Sequence, residues 1–408
     1  MASKLLTMRV LVADKFEEIG LEGLRNLGLE VNCEPALSGD ALRDRIKELE
    51  PNVLVVRSTK VTADMLEGSR LGLIIRAGAG YNTIDVSAAS NLGIFVANCP
   101  GKNSHAVAEL AFGLILACDR HIADNVIDLR NGKWNKKEYS QARGLKGRTL
   151  GLIGMGMISQ AMIPVAKAFG MNVVAYSRWM TSEVAAALGI GRAASIKELA
   201  GLSDAISVHV ALTPDTKGVL DAAFFELLQP GTIFINTSRS EVVDQAALLK
   251  AVESGKITAG LDVFEGEPTE AVCDYAGPLQ TAKGVYCTHH IGASTDEAQN
   301  AVAMEVVRIV KEFKLHGIPP NVINIPSGDI SSHVIVVRHA DRVGVLADIL
   351  NILKIEGVNV QEMENVILGP SHAAIAQIAV AKEPSPAALH SIKANPNVFD
   401  VNLLPMEK

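Results

Sequence analysis

Apolar runs alternate with segments of helical spacing along most of this chain. Runs such as VLVV at 53–56 and LII at 73–75 lack the alternation of polar and apolar residues that marks a half-exposed strand. They are typical of strands buried on both faces of a parallel sheet. Because strands that alternate with helices are joined by right-handed crossovers, the sequence predicts an α/β fold with doubly wound parallel sheets. Aromatic residues make up only 4% of the chain, so aliphatic side chains must fill these cores.

The alternation occurs in two blocks, and a different pattern follows them. We expect a first, substrate-binding domain from residues 1–103 and 294–317. Residues 104–293 are expected to form a dinucleotide-binding domain inserted within it, and a long helical stretch over 104–131 would link the two. Residues 318–332 are rich in Pro, Gly and Ser and predict a linker. Residues 333–408 predict a small α+β module of four strands and two helices.

Charge and composition exclude several classes of protein. The net charge of −7 and the lack of a basic run argue against nucleic-acid binding. The five cysteines have neither metal-ligand spacing nor a paired framework, so we expect no metal site and reduced thiols. No apolar run approaches the roughly 18 residues of a membrane span. Residues 1–7 do not resemble a signal peptide, and a cytoplasmic location is the expectation.

A glycine-rich turn at 154–156 is the first candidate binding site. It follows an apolar strand and precedes a helical segment. Gly154 suits a tight turn, and Gly156 would let the backbone approach a pyrophosphate at the positive helix end, beside Met157 and Ile158. Ser159 replaces the third glycine of the usual pattern, which would loosen helix–strand packing and leave the phosphate site intact. A purely structural turn is the alternative.

The next strand, 172–176, is followed by Ser177 and Arg178. An acidic residue at this position would bind the ribose 2′-hydroxyl of NAD. A hydroxyl and a guanidinium suit a 2′-phosphate better, so NADP should be accepted and could be preferred. In the alternative interpretation, Arg178 is an ordinary solvated cation.

Polar residues end three further strands of the second block. The segments are IFINTSRS at 233–240, AGLDVFEGEP at 259–268 and VYCTHHIGAST at 285–295. They look like signatures of the D-isomer-specific 2-hydroxyacid dehydrogenase family. HHIGAST, together with VVRSTKVT at 55–62 and RAGAG at 76–80, resembles the phosphoglycerate dehydrogenase branch. The resemblance spans nearly the whole chain and implies a nicotinamide-dependent oxidoreductase acting on a small anionic 2-hydroxy acid.

The resemblance also implies roles for individual residues. His290 would be the base that takes the C2 hydroxyl proton, Glu267 its carboxylate partner, and Arg239 the ligand of the substrate carboxylate. His289 is a rival to His290, Arg239 could be a surface cation, and Glu267 could only cap a turn. The residues implied in cofactor binding are Gly154, Gly156, Met157, Ile158, Ser177, Arg178, Val210, Thr237, Ser238, Asp262, Gly292 and Ala293.

Substrate capture would use a second glycine turn and several cations. Its Ala79 is a departure, because the branch often has Thr there. Each cation alone could equally be a solvated charge. The residues implied in substrate binding are Arg57, Ser58, Lys60, Arg76, Gly78, Ala79, Gly80, Asn103 and Lys136.

The last module resembles the amino-acid-sensing ACT domain through HADRVGVL at 339–346 and Gly357-Val-Asn359. The resemblance implies an L-serine effector near His339, Asp341 and Asn359. Asp341 departs from the common Asn, which leaves serine sensitivity open. Alternatively, the module only holds the subunits of a homodimer or homotetramer together.

Three functional hypotheses follow from the sequence. The first is oxidation of 3-phospho-D-glycerate to 3-phosphohydroxypyruvate in L-serine biosynthesis. The second is a glyoxylate or hydroxypyruvate reductase, which Ser177 and Arg178 favour and Lys136 disfavours. The third, from another class, is a dinucleotide-sensing corepressor. A pure binding protein would not need Arg239, Glu267 and His290 together.

Overall fold

The computed structural model describes residues 8–268, 272–325, 331–369 and 372–406. The chain divides into two compact units at Ile323 and Asn324. This boundary lies inside the predicted linker 318–332, which therefore begins too early. Val322 forms an antiparallel bridge with Ala97, and the Ile323 N–H donates to Val96 O at 2.8 Å, so these residues pack on the first unit. Residues 326–330 of that linker lie outside the described residues.

The first sheet of the first unit has five parallel strands in the order β2-β1-β3-β4-β5. Alternate strand residues enter two separate apolar clusters, one on each face, which explains the uninterrupted apolar runs. Its elements are β1 (Arg9–Val12), α1 (Glu18–Asn26), β2 (Glu30–Cys33), α2 (Gly39–Leu49), β3 (Val53–Val56), α3 (Ala63–Leu66), β4 (Leu73–Arg76), α4 (Val86–Asn91) and β5 (Phe95–Asn98).

The predicted helical stretch over 104–131 is helical in the structure but divided at His121. The structure has α5 (Ser104–Arg120), α6 (Ile122–Arg130) and a short α7 (Lys136–Tyr139). His121 separates α5 from α6 with a left-handed backbone, φ 50°, and its Nδ1 lies 2.8 Å from the hydroxyl of Tyr286. A tertiary contact thus overrides local helix propensity, which the sequence pattern does not reveal.

The second sheet has seven parallel strands in the order β12-β11-β10-β9-β6-β7-β8. Strand order reverses between β6 and β9, and in doubly wound sheets the crevice at such a point binds the ligand. Its elements are β6 (Thr149–Ile153), α8 (Met157–Ala168), β7 (Asn172–Tyr176), α9 (Ser182–Leu188), β8 (Gly191–Arg192), α10 (Ile196–Leu202), β9 (Ala205–Val208), α11 (Ala222–Leu227), β10 (Thr232–Asn236), a 3₁₀ turn (Ser240–Val242), α12 (Gln245–Glu253), β11 (Ile257–Leu261) and β12 (Val285–Cys287).

The chain then returns to the first sheet through α13 (Asp296–His316). Val302, Val306 and Ile309 of this helix enter the same apolar cluster as β1, β3 and β4. The predicted return of this helix to the first lobe is therefore correct. The exact domain limits at 103/104 and 293/294 stay predictions.

The second unit is a small antiparallel sheet with two helices. Its strand order is β14-β15-β13-β16, and its core contains Ile335, Val337, Ile349 and Ile378. The elements are β13 (His333–Ala340), α14 (Val345–Ile355), β14 (Val360–Leu368), β15 (Ala373–Val380), α15 (Pro386–Lys393) and β16 (Val398–Pro405). The predicted fold class, two doubly wound α/β sheets plus a small α+β unit, is confirmed.

Among the helices in the described ranges, none is both long enough and apolar enough to cross a membrane.

Candidate active site

Three neighbouring strands deliver Arg239, Glu267 and His290 to one place. Strands β10, β11 and β12 are parallel and adjacent, so their carboxyl ends lie at the same edge of the sheet. Arg239 follows β10, Glu267 lies in the loop after β11, and His290 follows β12. All three line a single cavity, together with Arg76 and Gly80 from the first sheet.

His290 and Glu267 form a close pair. The Nδ1 atom of His290 lies 2.6 Å from Oε2 of Glu267. This hydrogen bond raises the pKa of His290 above its usual value, although partial burial opposes the shift. Burial alone would raise the pKa of Glu267, but the contact with His290 and the Phe264 N–H, 2.8 Å away, lower it overall. The pair therefore favours a protonated imidazole next to a carboxylate.

The loop that carries His290 is held by Asp262. This carboxylate is buried and accepts hydrogen bonds from the Thr288 hydroxyl (2.6 Å) and from the backbone N–H groups of Ile291 (2.9 Å) and Gly292 (2.8 Å). His290 has φ 52°, in the left-handed region that a histidine seldom adopts. Asp262 thus holds the strained backbone turn that carries His290, which lines the cavity. Its predicted role near the cofactor stays a prediction.

Arginines concentrate positive charge on the other side of the cavity. Arg239 donates through Nη1 to its neighbour's carbonyl, Ser238 O, at 2.7 Å. Burial, with the nearby charges of Arg239 and Arg57, lowers the pKa of Arg76 to about 10. Crowded like charges of this kind favour an anionic ligand, which would relieve the repulsion.

The glycine turn after β4 fits closely around these guanidinium groups. A Cβ added at Gly78 would overlap the guanidinium of Arg76, and one at Gly80 would overlap that of Arg239. The turn is fixed from behind, because the Asn98 side-chain amide donates to Ala79 O at 2.6 Å. At Gly78 the φ of 147° also favours glycine, whereas at Gly80 the missing Cβ leaves room for the end of the Arg239 side chain.

The turn after β6 has a different environment. Gly154 has φ 96°, and a Cβ there would lie 2.5 Å from His209 O. At Gly156, which precedes α8, a Cβ would meet open space. Ser159 is fully buried and donates to Gly154 O at 2.9 Å, so the serine that replaces the usual glycine braces the turn.

Two buried polar atoms lie on the side of the cleft near this glycine turn. Within the described residues, Nδ1 of His209 and Oγ1 of Thr237 have no hydrogen-bond partner. Both residues line a cavity that also includes Ile158, Val210 and Ala293. Unpaired buried polar groups are costly unless a ligand or water satisfies them, so they fit a polar dinucleotide. The sequence analysis missed His209, although a polar residue ending β9 beside the switch point was a usable signal.

The remaining predicted cofactor residues divide into two groups. Ser238 and Gly292 line the same cavity as His209. The predicted cofactor residues that are not among its lining residues are Gly154, Gly156, Met157, Ser177 and Arg178. Arg178 pairs instead with Asp215, with Nη1 and Oδ2 3.0 Å apart. A carboxylate from another loop therefore lies beside Arg178 at the end of β7.

The predicted substrate residues also divide. The cavity that contains His209 is also lined by Arg57, Ser58, Ala79 and Asn103. Lys60 and Lys136 line neither this cavity nor that of the catalytic pair. Their proposed role in phosphate binding stays a prediction.

The predicted effector residues lie in the second unit. His339 is buried, and its ring nitrogens lie 2.9 Å from Ala340 O and 3.0 Å from Oδ1 of Asn365. The backbone of Asp341 donates to His372 O, and that of Asn359 accepts from the Ala381 N–H. The His339 side chain is thus already hydrogen-bonded within the unit, and the effector role of the three residues stays a prediction.

Comparison with known proteins identifies the family. The sequence pattern of the "D-isomer specific 2-hydroxyacid dehydrogenase, NAD binding domain" matches residues 112–292. A hydroxypyruvate reductase of Thermotoga maritima is 43% identical over 310 residues, covering 75% of this chain and 98% of that protein. The chain belongs to the D-isomer-specific 2-hydroxyacid dehydrogenase family.

Other 2-hydroxyacid dehydrogenases extend the comparison. A D-3-phosphoglycerate dehydrogenase of Methanocaldococcus jannaschii is 39% identical over 323 residues, or 78% of this chain. The matched region spans only 60% of that relative's length. An NAD⁺-bound 3-phosphoglycerate dehydrogenase structure from Entamoeba histolytica has a TM-score of 0.64 and 27% identity, covering 78% of this chain and 99% of that one. The family and its nicotinamide-binding fold are therefore shown, and the relatives differ in the substrates for which they are named.

Proposed function

We propose that this chain transfers a hydride between a nicotinamide cofactor and C2 of a small anionic 2-hydroxy acid. The observation that carries the proposal is the single cavity shared by Arg239 and the His290–Glu267 pair. Because Nδ1 of His290 is bonded to Glu267, its Nε2 is the atom left to exchange a proton with the substrate hydroxyl. Histidine is suited to this task near neutral pH.

His290, Glu267 and Arg239 have different roles in the oxidation. Neutral His290 removes the proton from the C2 hydroxyl as the C2–H bond breaks, and Glu267 stabilises the resulting imidazolium. Arg239 binds the substrate carboxylate and polarises the C2 oxygen. In reduction, His290 begins protonated and returns the proton. The nicotinamide ring, when bound, accepts or supplies the hydride.

We infer that Gly154, Gly156, Met157 and Ile158 hold the cofactor pyrophosphate at the start of α8. The fit is supported by the open space at Gly156 and by the unpaired buried atoms of the cleft. Both NAD and NADP are proposed cofactors. Arg178 supports acceptance of NADP, while its pairing with Asp215 places a carboxylate nearby and disfavours strict NADP dependence.

Within this class, the proposed reaction is oxidation of 3-phospho-D-glycerate to 3-phosphohydroxypyruvate in L-serine biosynthesis. Arg57 and Arg76 line one cavity with His290 and supply cations for a second anionic group. The resemblance to D-3-phosphoglycerate dehydrogenases supports the same choice. We further propose that the second unit is an ACT-type module, that L-serine is its effector, and that the protein is a cytoplasmic homodimer or homotetramer.

A hydroxypyruvate or glyoxylate reductase is the second candidate. The Thermotoga relative bears the former name and matches over 98% of its own length. Arg57, the best-placed cation for a phosphate, is already engaged by Gln299 at 3.0 Å. These two observations favour a smaller substrate.

The test combines two variants with a substrate panel. The wild-type protein, His290→Asn and the matched control His289→Asn are assayed with 3-phosphoglycerate, phosphohydroxypyruvate, hydroxypyruvate and glyoxylate, each with both nicotinamides. Asparagine tolerates the left-handed backbone of residue 290, so the loop should keep its shape. We expect His290→Asn to lose roughly 10²–10⁴-fold in kcat and His289→Asn to retain activity. Full activity of His290→Asn refutes the proposed role, and the best substrate decides between the two candidates.

A further inference from the structure

Glu17 occupies an unusual position at the edge of the substrate cavity. It directly precedes α1 with extended backbone, φ −72° and ψ 138°, and its side chain makes no capping hydrogen bond to that helix. The short side chains of Ser, Thr, Asp and Asn usually make this bond, and the longer glutamate leaves its carboxylate available for other contacts. The carboxylate of Glu17 instead lies beside Arg57, with Oε1 3.8 Å from Nη1, and only 19% of the side chain is exposed. The Glu17 carboxylate therefore forms an ion pair with Arg57 in the cavity that both residues line.

Arg57 is held from several directions. Its backbone N–H donates to Oδ2 of Asp14 at 2.6 Å, and the same carboxylate binds the backbone and hydroxyl of Thr59. At its other end, Nη1 donates to Oε1 of Gln299 at 3.0 Å. The Arg57 backbone and one end of its guanidinium are thus held, and in the described part of the chain Glu17 is the carboxylate that pairs with this guanidinium.

Other acidic groups of the cleft have separate partners. Asp262, which lines the same cavity, accepts three hydrogen bonds from the loop of His290. Glu267 is bonded to His290 itself. Neither carboxylate has an ion pair with Arg57, so Glu17 is the acid placed to balance this arginine before a substrate arrives.

The consequence depends on what the substrate carries at C3. A phosphate directed at Arg57 would approach the carboxylate of Glu17, and two like charges so close would repel each other. A C3 hydroxyl has no such charge and could donate a hydrogen bond to the same carboxylate. Glyoxylate has no C3 and would be indifferent to it. Specificity then includes a repulsive element as well as an attractive one.

We infer that Glu17 is a specificity-determining residue that favours a C3 hydroxyl over a C3 phosphate by neutralising Arg57. The inference rests on the proposed 2-hydroxy acid function and deepens it. It concerns the ratio between substrates, so it holds whichever acid is the preferred one.

The kinetic test compares Glu17→Gln with Glu18→Gln. Glu18 is the next residue, lies in the first turn of α1, pairs with Arg25 at 2.7 Å and does not line the cavity, which makes it a matched control. We expect Glu17→Gln to raise kcat/KM for phosphohydroxypyruvate relative to hydroxypyruvate by about tenfold, chiefly through KM. Glyoxylate reduction should not change, and Glu18→Gln should match the wild type. Equal effects on all three acids, or no effect, overturn the inference.

A double-mutant cycle tests whether Glu17 acts through Arg57. In an Arg57→Gln background, Glu17→Gln should no longer change the substrate ratio, because the charge that it modulates is gone. A ratio that still shifts tenfold would show that Glu17 acts by another route.

Inorganic phosphate provides a second readout. As an inhibitor of glyoxylate reduction, it should bind several-fold more tightly to Glu17→Gln than to the wild type. An unchanged inhibition constant contradicts the charge balance. Wild-type protein that reduces none of the three acids contradicts the proposed function itself, whereas turnover with an unchanged ratio contradicts only the role of Glu17.

Discussion

The two glycine turns of the first unit resemble each other in sequence but differ in what surrounds them. At the turn after β4, the positions of a Cβ on Gly78 and Gly80 are taken by the guanidinium groups of Arg76 and Arg239. At the turn after β6, Gly156 faces open space. The first turn makes room for charged side chains, and the second leaves its backbone accessible at Gly156, although Gly154 packs against His209 O.

This difference matches the two kinds of ligand proposed for the cleft. A small 2-hydroxy acid needs placed charges at its carboxylate, which the arginines supply in fixed positions. A dinucleotide pyrophosphate can be bound by backbone N–H groups at a helix start, which need only access. Glycine therefore has a different function in each turn: Gly80 leaves room for a side chain of the protein, and Gly156 leaves room for a ligand.

Of the variants that test this difference between the two turns, Gly80→Ala should have the largest effect on activity. The added methyl would displace the Arg239 guanidinium, because the end of a flexible side chain moves more easily than backbone. A displacement of about 1 Å in a positioning group can lower activity roughly 100-fold, and we expect a loss of that size in kcat/KM. Cofactor affinity, measured by calorimetry, should stay close to that of the wild type.

Gly113→Ala is the control for this variant. Gly113 lies in α5, and a Cβ there meets nothing within 4 Å. Its activity should be unchanged. If Gly80→Ala were as active as Gly113→Ala, the position of Arg239 seen in the structure would not matter for turnover.

Gly156→Ala should give the reverse pattern with a smaller effect. Its backbone has φ −79°, which alanine adopts readily, so the fold should be retained. The methyl would stand between the helix start and a bound phosphate, and the loss of one charge-assisted hydrogen bond weakens binding roughly tenfold. Calorimetric titration with each nicotinamide measures this, and KM for the acid should change little. A larger effect on the acid than on the cofactor would show that the two turns do not divide the ligands in this way.

The sequence predicted the parts of this site that depend on strand order. Arg239, Glu267 and His290 each lie in the segment after a strand, and parallel neighbouring strands bring these segments to one edge. Their convergence could therefore be predicted without coordinates, whereas their chemical roles came from the family resemblance and stay predictions. The 2.6 Å contact between His290 and Glu267 depends on a loop that Asp262 holds. No sequence pattern predicts the three hydrogen bonds that Asp262 accepts from this loop.

The parts that could not be predicted are pairings between distant segments. Arg57 with Glu17 and Arg178 with Asp215 join residues from separate loops. Each of these arginines looks like a free anion-binding group in the sequence. The break at His121 is of the same kind, because its left-handed backbone accompanies a contact with a remote tyrosine.

The smallest expected effect is a shift in the pH dependence of activity, which should be seen at the catalytic pair and not at the cofactor side. In the catalytic pair, the hydrogen bond with Glu267 raises the pKa of His290, so Glu267→Gln should lower it. Oxidation needs neutral His290 and gains activity as pH rises through that pKa, so its profile should move to lower pH. Reduction needs the protonated form and loses activity as pH rises, so it should fail at a lower pH than in the wild type.

The cofactor side should show no such shift. Burial lowers the pKa of His209 to about 3, which keeps this histidine of the cofactor side neutral across the range of the assay. The test measures the pH dependence of kcat/KM in both directions and of cofactor affinity over the same pH range. It distinguishes the catalytic pair from the cofactor side. Parallel displacement of both reaction profiles with constant cofactor affinity is expected. Unchanged reaction profiles would mean that His290 titrates independently of Glu267, despite the 2.6 Å between their side chains.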